Sequence, residues 1–320
     1  MHSQVIAVGN IVADFIATNI RMFPEWGEHV ETRAAIEPII GGNAANFAIC
    51  LTKLGINTAL IGKVGRDTLG RALLNSLRKK KINVSNVSFC EIPTSVSLIA
   101  SNLQGERGVI HYIGANSSLK VEDITLERFP SAKIFHLSAY YLVPDLEGKP
   151  AEEILKKAKE LGLVTTFDVA WDVKGLWSVN NLLEFVDFFL PNEKEAEMIT
   201  GKADPAESAS ALLDMGVGTA VIKLGPMGCL IKTCAGEEIH VPSYRVPVVD
   251  TTGAGDAFDA GFIYGLVKKW SLKKVARFAN AVAAVTLQSK GTTSAPTLRG
   301  ALKLLDGKYV NKQIKVLSTG

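Results

Sequence analysis

One stretch constrains this chain more than any other: Val249-Asp-Thr-Thr-Gly-Ala-Gly-Asp-Ala-Phe-Asp-Ala-Gly-Phe262. Apolar Val246, Val248 and Val249 lead into it around Pro247, which reads as a short buried strand or its edge. Asp250, Thr251 and Thr252 follow, and each can cap a helix. After Gly253-Ala254-Gly255, apolar Phe258, Phe262 and Leu266 recur at helical spacing. The chain therefore turns from strand to helix across a loop of small residues. Amides at such a turn lack intrahelical partners and sit at the positive end of the helix dipole, so they form an anion site. Glycine there permits close approach by a ligand. Asp256 falls in the first helical turn, where a carboxylate often does no more than complement the dipole. Beside a phosphate-sized anion site it acquires a second reading. A base next to an anion hole is what transfer of a phosphoryl group to an alcohol requires. Ala257, Gly261 and Gly265, four residues apart, predict close packing of a second backbone against this helix.

A second glycine-led helix start lies at Gly41-Gly42-Asn43-Ala44-Ala45-Asn46. Phe47, Leu51 and Leu54 continue it at helical spacing, and Gly55 is placed to end it. Asp14 follows the apolar run Val5–Val8 near the C-terminal end of a predicted buried strand, the edge where open α/β sheets bind ligands. Read alone, Asp14 is equally a turn or edge-strand aspartate, and Asn46 a satisfied polar residue of a helix. Asp168 ends another predicted strand, Val164–Phe167, which suits a contact to substrate or to a metal-bound water. Asn192 and Glu195 have the spacing of a capping box, which by itself explains both.

Taken together, Asp-Thr-Thr-Gly-Ala-Gly-Asp-Ala-Phe-x-Ala-Gly-Phe resembles the C-terminal signature of the ribokinase-like (PfkB) carbohydrate kinases. Gly41 to Gly55 is similar to that family's N-terminal signature, and Gly65-Arg-Asp-Thr-Leu-Gly70 also recurs in it. The resemblance implies Asp256 as catalytic base and the amides of Gly253, Ala254, Gly255 and Asp256 as anion hole. It implies that Asp14, Gly42, Asn43 and Asn46 hold the hydroxyls of the acceptor. ATP would be the donor, with Mg²⁺ and its waters ordered by Asn192 and Glu195, whose hard oxygens suit that ion. Lys223, Gly225 and Gly228 would border the nucleotide, and Asn280 belongs to a helix placed against the adenine. Asp250, Thr252, Thr286, Ser289, Gly291 and Ser294 match positions that often hold a monovalent cation, K⁺.

The remaining sequence fits one large unit. Strands alternate with helices over most of the 320 residues, predicting a doubly wound α/β fold with a mostly parallel sheet flanked by helices. Segments of about 15–40 and 91–114 are irregular or hairpin-like and predict a small β-sheet lid. With 47% apolar residues a sizeable core is expected, and a net charge of +3 argues against nucleic acid or an anionic membrane as partner. Cys50, Cys90, Cys229 and Cys234 show no paired metal-ligand spacing. The first residues read as a strand rather than a signal peptide, and no apolar run approaches ~18 residues, so a cytoplasmic protein is expected. An exposed lid edge would permit a homodimer.

The expected activity is ATP-dependent phosphorylation of a sugar or sugar-like alcohol. Alternatives are a nucleoside kinase of the same family and a sugar-binding regulator without catalysis. A nicotinamide oxidoreductase is disfavoured because Gly9-Asn10-Ile11 lacks the glycine fingerprint after the first strand. The resemblance weakens ribose as substrate, because ribokinases of this family carry a glutamate near the place of Ser138 or Ala139 and an asparagine at that of Val12, and this chain has neither. It also weakens a keto-deoxygluconate, whose kinases bind the carboxylate with an arginine in the segment matching 168–177, where this chain has Lys174 and no arginine. Phe15, Tyr112, Tyr140 and Trp171 are candidates for an aromatic sandwich around a nucleobase.

Overall fold

The structure is a computed structural model and describes residues 2–102, 107–288 and 296–306. In chain order the elements are β1 (Val5–Val8), β2 (Val12–Ile20), β3 (Pro38–Gly41), α1 (Asn43–Lys53), β4 (Thr58–Gly65), α2 (Thr68–Lys79), β5 (Asn83–Cys90), β6 (Val96–Asn102) and β7 (Arg107–Tyr112). Then come β8 (Ile134–Leu137), α3 (Lys149–Glu160), β9 (Val164–Phe167), α4 (Asn180–Leu183), β10 (Phe188–Phe189), α5 (Glu193–Thr200) and α6 (Pro205–Asp214). The described chain closes with β11 (Thr219–Lys223), β12 (Cys229–Thr233), β13 (Glu238–Val241), α7 (Ala254–Val267), α8 (Leu272–Thr286) and α9 (Leu298–Leu305).

The main sheet runs β13-β12-β11-β10-β9-β8-β1-β4-β5. Its pairs are parallel from β11 to β5, and the β11–β12 and β12–β13 pairs are antiparallel, so β12 alone runs against the other strands described. Parallel strands are covered on both faces, which is why β1 reads as an unbroken apolar run. Its alternate residues divide between two cores. Ile6 and Val8 join Phe135, Leu137 and Ile154 on one face, whereas Val5 and Ala7 join Phe47, Leu51 and Phe278 on the other. Helix α7 lies in the second layer and is buried from Asp256 to Gly265. Its small residues perform the expected packing. A Cβ on Gly261 would stand 2.8 Å from Ala279 Cα, and one on Gly265 would stand 2.8 Å from Val275 Cγ2.

The second sheet, β3-β2-β6-β7, is the lid. It is mixed: β2 pairs with β6 in parallel, and β3 and β7 run antiparallel to their neighbours. Two polar residues, buried Asn116 and half-buried Asp67, fix it to the main body. Asn116 Oδ1 accepts from Ile11 N at 3.1 Å, and Asn116 Nδ2 donates to Ile11 O at 3.2 Å. Asp67 caps α2 through Gly70 N and also accepts from Thr94 N and Thr94 Oγ1, each at 2.7 Å. The tip of the expected hairpin, Gln104 to Glu106, lies outside the described residues.

Two expectations need correction. The valines before the anion loop form no strand: 242–248 has no regular structure, and Val248 and Val249 are exposed. None of Asp250, Thr251 and Thr252 caps α7; Gly253 takes the N-cap position with φ 73°, a left-handed conformation that favours glycine. Among the described residues no helix is long and apolar enough to cross a membrane.

Candidate active site

The site forms where the C-terminal ends of the parallel strands meet α1 and α7. Asp256 is held in the first turn of α7 and is 6% exposed. Asn43 Nδ2 donates to its Oδ1 at 3.1 Å and Asn46 Nδ2 to its Oδ2 at 3.0 Å. The two helix starts singled out in the sequence thus face each other across one carboxylate. Burial pushes the Asp256 carboxyl up to about 7, against the lowering effect of the Asn46 bond. Asparagine donors give the carboxylate a fixed orientation, and a pKa near neutrality suits a general base.

The N-terminus of α1 is set by Asn10, whose role the sequence did not mark. Its Oδ1 accepts from Ala44 N at 3.2 Å. Gly42, with φ 93°, crosses over it closely: a Cβ there would lie 2.7 Å from Asn10 O. Gly41 leaves the room that Asp14 fills, since a Cβ on Gly41 would stand 1.9 Å from Asp14 Oδ2. Asp14 is 7% exposed, and burial raises its carboxyl to about 6 while a bond from Ser97 opposes the rise.

Beneath the anion loop lies a buried ion triad. Lys223 Nζ donates to Asp168 Oδ1 at 2.8 Å and to Asp259 Oδ1 and Oδ2 at 3.3 and 3.4 Å. Asp259 occupies the variable place of the C-terminal signature, so no pattern along the chain singles it out. A signal was present nonetheless: it is a charge on an otherwise apolar helix, and a buried charge requires a partner. Burial lowers the Lys223 ammonium, but Asp168, Asp259 and Glu195 outweigh it and raise it, so the side chain stays charged. One ammonium cannot neutralise two buried carboxylates. The shorter contact places the ion pair on Asp168, and burial holds the Asp259 carboxyl well above the usual carboxylate range.

Asn192 and Glu195 form the expected capping box: Glu195 N donates to Asn192 Oδ1 at 2.9 Å, and Asn192 N donates to Glu195 Oε2 at 2.8 Å. Burial, reinforced by Asp168, raises Glu195 to about 7. Both residues line a cavity of about 380 Å³ together with Asn43, Asp168, Gly253 and Asp256. A second cavity, of about 480 Å³, is walled by Gly228, Tyr244, Ala254, Phe258, Asn280 and Leu287. Lys223, Gly225 and Gly255 line both, so the two cavities lie side by side, with Gly255 in the first turn of α7 between them. Asn280 Nδ2 donates to Val241 O and Pro242 O at 3.1 and 3.2 Å, holding the wall of the larger cavity in place.

Of the positions matched to a monovalent cation, Asp250, Thr252 and Thr286 fall among the described residues. Asp250 Oδ1 accepts from Thr252 N and Thr252 Oγ1 at 2.8 and 2.7 Å, and Thr286 Oγ1 donates within its own helix to Val282 O at 3.0 Å. Ser289, Gly291 and Ser294 lie outside the described residues. Tyr140 leaves the aromatic set: it is buried in the core, and its hydroxyl accepts from Gly148 N at 2.7 Å. Trp171 stays half exposed at the smaller cavity, edge-on to Trp177.

Residues 2–298 match the pfkB family carbohydrate kinases. The chain belongs to this family, and it is a phosphotransferase with an alcohol as acceptor. An ATP-dependent 6-phosphofructokinase of Thermoanaerobacterium thermosaccharolyticum is 30% identical over 90% of this chain and 89% of its own length. A ribokinase of Mus musculus is 31% identical over 91% of each chain. Among solved structures, Arabidopsis thaliana ribokinase complexed with ribose and ATP superposes with a TM-score of 0.82, at 27% identity over 95% of this chain and 99% of that one.

Proposed function

We propose that this protein transfers the terminal phosphoryl group of ATP to a hydroxyl of a sugar or sugar-like acceptor, with Asp256 as general base. The observation that carries this reading is the adjacency of two cavities at Gly255 and Lys223, with Asp256 on the smaller side. A nucleotide in the larger cavity would direct its terminal phosphate to the amides at the start of α7, and an acceptor beside Asn43 would offer its hydroxyl to Asp256. The carboxylate takes the hydroxyl proton as the oxygen attacks. The amides of Gly253 to Asp256 and the Lys223 ammonium offset the charge that develops on the transferring group. ATP as donor is supported by the relatives named above.

The residues fit Mg²⁺ as well. Asn192 and Glu195 bring hard oxygens to the smaller cavity, and Glu195 Oε1 is not part of the capping box. Such an ion, held through water, supplies charge neutralisation on the phosphates. Asp14, Gly42, Asn43 and Asn46 position the acceptor.

The test is ATP consumption with product identification against ribose, fructose, fructose 6-phosphate and a set of nucleosides. One acceptor should stand at least ~100-fold above the rest in kcat/KM, the discrimination expected where buried polar groups read substrate hydroxyls. Binding of a sugar with no phosphorylated product would overturn the reading in favour of a regulator.

A further inference from the structure

The lid touches the phosphate loop through an arginine that no signature marks. Arg107 begins β7, and the register of the small sheet decides which way it points. Ser101 pairs with Arg107, Ile99 with Val109 and Ser97 with His111. Arg107, Val109 and His111 therefore share one face of the lid with Ser97. Ser97 lies beside Asp14 in the β2–β6 register and its Oγ bonds His111 Nδ1, so this is the face turned to the acceptor side. Gly108 and Ile110 take the opposite face, where a Cβ on Gly108 would meet the Phe23 ring at 2.6 Å.

From that inner face Arg107 reaches across to the loop before α7. One guanidinium nitrogen donates to Thr251 Oγ1 at 2.6 Å, the other to Thr252 Oγ1, and the group stands 3.7 Å from Asp250 Oδ1. Thr251 lines the larger cavity and Thr252 immediately precedes the N-cap Gly253. This loop has no regular structure from 242 to 248. Its backbone bonds near α7 run from Val249 N and Asp250 N to Leu287 O and from Ala254 N to Thr251 O. A guanidinium presents its donors as a rigid fork, which matches hydroxyls on two successive residues in a way a single ammonium cannot.

We propose that Arg107 is a positioning residue of the transfer reaction. It latches the inner face of the lid to Thr251 and Thr252, so that covering the acceptor and setting the first amides of α7 become one event. The proposal rests on the functional reading above. Its consequence is that the anion hole is fully formed only when the lid is down, which keeps water from the terminal phosphate until an acceptor is covered.

The experiment compares the full chain with Arg107→Ala and Arg107→Lys by amide hydrogen exchange, together with kinetics on the acceptor that the panel selects. Arg107→Ala should speed exchange in 249–257 and in the lid strands together, by about 10-fold or more, the effect of losing charge-assisted hydrogen bonds. Arg107→Lys should fall between. In kinetics, kcat/KM for the acceptor should drop ~10- to 100-fold, and the share of ATP hydrolysed without acceptor product should rise. The double variant Arg107→Ala/Thr251→Val should be no worse than Arg107→Ala alone. Unchanged exchange in 249–257, or losses that add in the double variant, would overturn the latch. A merely structural role would lower Tm without changing the ratio of hydrolysis to transfer. If no acceptor in the panel is phosphorylated, the functional reading fails, while the exchange measurement still decides the latch.

Discussion

Replacing Asp256 by asparagine should make the protein more stable at alkaline pH and nearly inactive at every pH. Burial raises the Asp256 carboxyl from 3.8 to about 7. The folded state therefore binds this proton more tightly than the unfolded chain, and stability falls as pH rises through that window. A rise of three pH units at ~1.36 kcal/mol each sets an upper figure of roughly 4 kcal/mol for the cost of ionising the buried group. Asparagine removes that cost but introduces another. Asn43 and Asn46 both donate NH₂ groups to the carboxylate. An amide at 256 accepts from one and turns its own NH₂ toward the other, leaving a buried donor unpaired at about 1–3 kcal/mol. The net gain is on the order of 2 kcal/mol, which for a chain of this length is roughly 3 °C in Tm. It should be present at pH 8.5 and absent at pH 4, where the parent is protonated as well. Scanning calorimetry of both proteins across pH 4–8.5 isolates this group, because Glu195 and Asp14, which also titrate high, are common to the two. Turnover should drop by ~100- to 10,000-fold, the usual loss of a general base. In the parent, turnover should fall below pH ~7 as the carboxylate is protonated. A Tm difference that does not widen with pH would refute the buried-carboxyl argument; turnover within tenfold of the parent would refute the role of base.

Two further outcomes follow from the geometry. Gly41→Ala drives a methyl into the space of the Asp14 carboxylate, so the acceptor KM should rise about tenfold or more with folding retained, as for displacement of a charge-assisted contact; an unchanged acceptor KM would remove Asp14 from recognition. Lys223→Met strands Asp168 and Asp259 without their cation. It should destabilise by about 3–5 kcal/mol at pH 8 in denaturant titration and by less at pH 5, because both carboxyls are raised by burial and take up protons as pH falls; a pH-independent loss would contradict the triad.

The sequence made the fold legible where hydrophobic periodicity and small residues act together. Helix α7 was readable because an apolar 3.6-residue repeat begins directly after two glycines; Gly261 and Gly265 announced a close-packed second backbone, and three dimensions identify it as α8. Strand direction was not readable in the lid. Alternation says that a segment is extended, not which neighbour it joins or in which sense, so the parallel pairing of β2 with β6 emerges only in three dimensions. The capping box at Asn192 survived intact because it is local, made by residues three apart.

The misread valines show why a binding protein resists this kind of reading. Val246 and Val248 are apolar without being core; they line the larger cavity, where the nucleotide is proposed to sit. Apolar character serves a ligand wall as well as a sheet, and periodicity cannot separate the two uses over so short a run. The converse holds for Asp259 and Arg107. Each is a charge whose purpose depends on a partner distant in sequence, Lys223 for one and Thr251 with Thr252 for the other. A pattern of neighbours along the chain carries no record of such a pairing. What it does carry is the anomaly, a charge inside an apolar helix or at the end of a lid strand. Such departures from local consistency tend to gather at functional sites, because there the fold tolerates a cost that chemistry requires.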